Sequence, residues 1–133
     1  MATYADPELL VSRWLEERLG RKVWADNRLQ GDWWTMAPVA LLTRGFGEGD
    51  TQLTLDAGTY DLDWYGKNAD HVREWAEKAR GALRFELPLH TFENGIFVTG
   101  VQTISAPSWA PEFERGVYRR TAAYRVIMHG IVA

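Results

Sequence analysis

Asp61 and Asp63, with Asp56 just upstream, are the carboxylates whose spacing invites chemistry. Alternation along an extended strand sets Asp61 and Asp63 on one face, where a carboxylate pair can do acid–base work or hold Mg²⁺ if further oxygens arrive from elsewhere. The same alternation also describes an ordinary solvated sheet face. His71, His90 and His129 fall in different segments, and none has the i, i+4 partner that would place two imidazoles on one helix face for zinc. The glycine-rich run GFGEGD at 45–50 has the composition of a phosphate cradle. Such a cradle joins a strand to a helix N-terminus, whereas this run sits between two extended segments with no Lys-Ser or Lys-Thr after it. It predicts a hairpin tip. Ser105 and Ser108 lack the glycine frame of a nucleophile elbow. No catalytic residue, metal ligand or cofactor site is therefore expected, and no enzyme.

Composition narrows the class further. The chain has 133 residues and no Cys, which removes disulfides, thiolate metal sites and cysteine nucleophiles together and fits folding in a reducing cytoplasm. A net charge of −3 argues against general nucleic-acid binding, which needs a basic face to release counterions. No run approaches the roughly 18–20 apolar residues of a membrane span. The opening MATYADPELL lacks a basic region followed by an apolar stretch, so no secretory signal is expected. With no Cys and no Gly at position 2, no lipid anchor is expected either. Seven tryptophans exceed what so small a core needs, so some are expected at the surface, where subunits meet.

The elements that position these residues read as follows. A helix is predicted over Pro7–Leu19, with Asp6 as N-cap, Pro7 at the first position and Gly20 as left-handed C-cap. Leu10, Val11, Trp14, Leu15 and Leu19 form its apolar stripe. A short strand follows at 22–26, then a loop, then a strand over 35–44 entered at Pro38. The unbroken VALL within it suits a strand covered on both faces, or one at a packed edge. Apolar phase shifts across Asp56-Ala57-Gly58, which predicts a bulge or break and a separate strand at 59–65.

A second helix is predicted from Ala69 to about Phe85, capped by Asn68, with Val72, Trp75, Ala76, Ala79 and Leu83 buried. Trp14 and Trp75, placed on these stripes, are expected to cost about 3–5 kcal/mol when cut to alanine. Strands resume at 96–105, interrupted by Gly100, and at 117–129, with a Pro107 and Pro111 loop between. In the last strand Arg119, Thr121 and Arg125 share the polar face, and Arg120 breaks the alternation. The expected fold is α+β in one domain over 1–133, a mostly antiparallel sheet of about five strands with two helices packed on one face.

Loop aromatics and forked cations are what a protein–protein contact uses. The candidate subunit or partner interface is Trp33, Trp34, Phe46, Glu48, Trp109, Phe113, Arg115, Arg119 and Arg120. The aromatics can equally fold back to cap the sheet's ends, and the arginines can form intrachain ion pairs.

Four segments in fixed order carry a likeness: the capped helix ending at Gly20; PVALLTRGFG; DAGTYDLDWYG with NADHVREWAEKARGAL; and VQTISAPSWAPEFERGVYRRTAAYRVIMH. In their combination the chain resembles the small tail terminator proteins of long-tailed bacteriophages, particularly those infecting actinobacteria. The resemblance implies a structural virion protein at the phage neck, made in the host cytoplasm. It implies a homo-hexameric ring at the head-proximal end of the tail tube, which stops polymerisation and joins the tail to the head. Its partners would be the major tail tube protein and the head-completion or connector proteins, with DNA passing through the lumen and no membrane or cofactor involved. Another neck adaptor or stopper shares size, acidity and lack of chemistry, although such adaptors are more often helical. A small α+β ligand-binding domain with a tryptophan-lined pocket is the alternative from a different class.

Overall fold

The computed structural model describes residues 3–4, 6–25, 28–45, 55–93, 95–111, 116–129 and 131–132. The first helix, α1 (Pro7–Leu19), begins and ends where local chemistry dictates. The Asp6 side chain accepts from the Leu9 N–H at 3.2 Å, and Gly20, at φ 69°, donates its N–H to the Glu16 carbonyl at 2.8 Å. The second helix, α2 (Ala69–Gly81), starts on Asn68, whose side chain accepts from the His71 N–H at 3.1 Å. Lys78 pairs with Glu74 at 2.9 Å on its outer face. A π-helical segment, Ala82–Glu86, continues directly from it and buries Ala82 and Leu83.

Among the described residues, seven strands accompany the helices: β1 (Thr3–Tyr4), β2 (Val23–Trp24), β3 (Val39–Arg44), β4 (Leu55–Gly66), β5 (Phe97–Ala110), β6 (Tyr118–His129) and β7 (Ile131–Val132). The main sheet has the order β2-β3-β4-β6-β5. Only β2 and β3 run parallel; the other pairings in the sheet are antiparallel. β1 and β7 pair separately. The α+β architecture of two helices on a mostly antiparallel five-stranded sheet matches the expectation from sequence.

One apolar cluster fills the space between the helices and the sheet. It takes Val11 and Leu15 from α1, Val72, Ala76 and Ala79 from α2, and Leu42, Tyr60, Leu62, Trp64, Tyr124, Val126 and Met128 from the strands. A second cluster lies on the opposite face: Trp24, Trp33, Val39, Leu41, Tyr65 and Val117, with Leu29 and Ala37 against it. Leu29, Trp33 (in a 3₁₀ turn at Trp33–Thr35) and Ala37, between β2 and β3, thus cover the back of the sheet. This is why VALL shows no alternation: Ala40 and Leu42 face the helices while Val39 and Leu41 face the second cluster.

Three expectations need correction. β4 is one strand from Leu55, without a break at 56–58, because its pairing with β6 runs residue for residue from Leu55↔His129 to Gly66↔Tyr118. Gly58 instead makes room for Arg44, whose Nε lies 2.8 Å from where a Cβ would sit. β5 runs on through Pro107 to Ala110, so 107–110 is strand and not loop. It absorbs register shifts between Val98 and Gly100, Thr103 and Ser105, and Ser105 and Ser108. Bulges and a proline are tolerated there because β5 is an edge strand, and they also blunt that edge against pairing with another chain. Finally, β3 begins at Val39, after a cis Ala37–Pro38 bond, and not at 35. The hairpin tip at 45–50 lies outside the described residues beyond Gly45.

Candidate partner-contact surface

Sheet register gathers one end of the fold: Val39 opposite Tyr65, Gly66 opposite Tyr118, and Ala110 opposite Arg119. The first turn of α2 follows directly from β4, so it overhangs the same end. On the helix side, cross-strand pairing sets Trp64, Arg120 and Trp109 in a row, from the buried interior to the outer edge. The Arg120 guanidinium lies 4.8 Å from the centre of the Trp109 ring, and Arg73 from α2 lies 5.5 Å from it. Tyr118 meets the same indole at 6.1 Å, tilted by 58°. Trp109 remains 42 % exposed and Tyr118 40 %. Arg120 breaks the apolar alternation of β6 because the indole of the edge strand gives its cation a ring to lie on.

Adjacent tryptophans part company. Trp33 is only 6 % exposed, inside the second cluster, with its ring edge-on to Tyr65 at 6.4 Å. As a candidate contact it is corrected: this side chain caps the back of the sheet. Trp34 is 51 % exposed and lines a groove of about 240 Å³ with Ala37, Pro38, Lys67, Asn68 and His71. Phe46, Glu48, Phe113 and Arg115 lie outside the described residues.

Arg119 points to the other face. Its Nη2 donates to Asp63 Oδ2 at 2.9 Å, the Thr121 hydroxyl donates to the other oxygen of the same carboxylate, and the guanidinium lies 6.0 Å from the Tyr65 ring centre. Arg119 therefore makes an intrachain ion pair, with its side chain still about one-third exposed. Asp63 is its anchor, which leaves Asp61 as the exposed carboxylate beside it. Among the described residues no group of three or more His, Asp or Glu is placed to hold a metal. His90 packs edge-on against Phe92 at 4.7 Å, far along the chain from His71 on α2.

Partial burial, and after it the charge of Asp63, push the Asp61 carboxyl above its ordinary range, with Arg119 opposing. A raised folded-state pKa means the folded chain binds this proton more tightly than the unfolded one, so ionising Asp61 lowers stability. The penalty is absent below its unfolded value of 3.8, grows as pH rises through the folded value, and is complete at neutral pH. Asp61→Asn is accordingly expected to raise the melting temperature at pH 7 and to lose that advantage near pH 3.5. A pH-independent difference in thermal melts would contradict this account.

Arg73 and Tyr118 belong to the surface and are absent from the candidates drawn from sequence. Nothing in linear spacing joins residue 73 to residue 109. Tyr118 carried a weak signal, as an aromatic in the same strand phase as Arg120. Compared with known protein families and with curated proteins, the chain matches none.

Proposed function

We propose that the protein is a tail terminator of a long-tailed bacteriophage, a structural subunit acting by contact alone. Copies close into a hexameric ring on the head-proximal end of the tail tube, occlude the surface on which the next tube ring would add, and present a second face to the head connector. Such a ring needs a heterologous interface that closes on itself. The observation that carries the reading is the aromatic and arginine surface around Trp109, Tyr118, Arg120 and Arg73, at one end of the sheet. Three of those four residues fall in VQTISAPSWAPEFERGVYRRTAAYRVIMH, one of the four segments whose combination carries the family resemblance. Exposed Trp, Tyr and Arg are the side chains that dominate protein–protein contacts. The weakly acidic balance also suits a lumen through which DNA slides, since like charges repel. Strand content favours a terminator over another neck adaptor.

A groove favours the second reading, a small ligand-binding domain. About 750 Å³ in volume, it runs between α1 and the turn before β5, lined by Leu10, Trp14, Arg18, His90 and Phe92. Its size is in the range of small-molecule sites.

Depleting the protein during phage growth is expected to give tails of uncontrolled length without attached heads, scored by negative-stain imaging. Tails of uniform wild-type length in its absence would remove the terminator role. Purified protein added to polymerising tail tube protein is expected to cap tube ends and halt elongation.

A further inference from the structure

We propose that the Trp109 end of the sheet receives a short carboxylate-bearing, aromatic-tipped segment of a different protein, gripped by Arg73 and Arg120. This rests on the reading of that end as a contact surface and adds the chemistry of what it contacts.

Two guanidiniums from separate elements converge on one exposed indole. Neither Arg73 nor Arg120 has an ion pair with a described carboxylate, and the Arg120 Nε is buried with no hydrogen-bond acceptor. Arg119 and Arg125 on the same strand also bury an Nε without an acceptor, but the charge of Arg119 is matched within the chain by Asp63. With its Nε buried, Arg120 has the two Nη groups of its planar guanidinium left to meet a carboxylate. Register holds Arg120 between Trp64 and Trp109, so little rotamer freedom remains to be lost on binding. Lys67 adds a cation at the same end, beside the exposed Trp34.

The footprint decides among partners. Nucleic acid would need a basic stripe matching successive phosphates, and two forks with one lysine do not provide it. On the α1 and β2 flank of a second copy, Glu86 and Glu16 are already paired with Arg18 and Lys22, so neither carboxylate is free to meet these arginines. An acidic segment with an aromatic side chain, which can pack on Trp109 and Tyr118, satisfies both halves of the surface.

The test is a titration of isotopically labelled protein, followed by NMR at the Trp109 indole N–H and the Arg73 and Arg120 Nε–H signals. The probe is the capped peptide Gly-Asp-Phe-Glu-Asp-Gly. It is compared with its Asn/Gln counterpart and with an oligothymidine of similar length. The acidic peptide is expected to shift these signals saturably, with the amide counterpart about tenfold weaker or more. Arg73→Gln combined with Arg120→Gln is expected to lose the response with amide dispersion retained. Should that variant unfold, Trp109→Ala, at an exposed position, is expected to weaken binding instead. Unmoved signals, an equal response to the neutral peptide, or tighter binding of the oligothymidine would each overturn the proposal. If the peptide binds but tails lacking the protein keep normal length, the terminator reading fails and this one stands. If tails need the protein but the peptide is ignored, this one fails alone.

Discussion

Trp64→Ala is expected to destabilise the fold by about 3–5 kcal/mol and to lower the melting temperature by about 10–20 °C. Trp64 is 1 % exposed and is the largest of the fully buried side chains. It sits on the central strand β4 with Ala40 on one side and Arg120 on the other, beneath the Trp75 ring of α2 at 6.5 Å. Truncation removes the contact that joins helix to sheet and leaves a cavity between close-packed elements. One feature works the other way: the indole N–H is buried without an acceptor, so its removal returns part of a desolvation cost. Trp64→Phe keeps most of the ring and loses that donor, so it is expected to cost less than about 2 kcal/mol. Trp14 and Trp75, which sequence places on buried stripes, are only partly buried, and their alanine variants are expected to lose about 1–2 kcal/mol. A Trp64→Ala protein melting within about 2 °C of wild type would show that α2 does not pack where described.

Arg119→Glu is expected to cost about 1–3 kcal/mol, because it sets a second carboxylate against Asp63 in a partly buried site. The effect stays below that of a fully buried pair because the Arg119 side chain keeps some solvent. Arg120→Glu, one residue on, faces no described carboxylate and is expected to cost about 1 kcal/mol or less while abolishing the response to the acidic peptide. The reversed pair, Asp63→Lys with Arg119→Glu, is expected to recover part of the loss, since Thr121 can accept from the lysine as readily as it donates to the aspartate. If the single variant melts with wild type, or the reversed pair recovers nothing, the ion pair has no structural role.

These adjacent arginines show where sequence stops being sufficient. The period of two in a strand separates residue 119 from residue 120 on inspection, so their opposite faces were legible. What each meets was not. Asp63 lies across one pairing, Trp109 across another, and Arg73 arrives from a helix, so only register and packing bring them together.

The same division holds through the fold. Helix bounds were legible because caps are local: Asp6 and Gly20 bracket α1, and Asn68 opens α2, each through bonds to residues three or four away. The lost alternation of β3 was legible as a strand covered on both faces or one at a packed edge, and the second cluster decides for the former. The continuity of β4 and the passage of β5 through Pro107 were not legible, because bulges and phase changes are properties of a pair of strands. Nor could sequence separate Trp33 from Trp34. One lies in a cluster that exists only once the chain folds behind the sheet, and its neighbour is left facing outward. Local hydrogen bonds and periodicity are written in neighbouring residues; which aromatic is buried and which is offered to a partner depends on surfaces that distant segments create together.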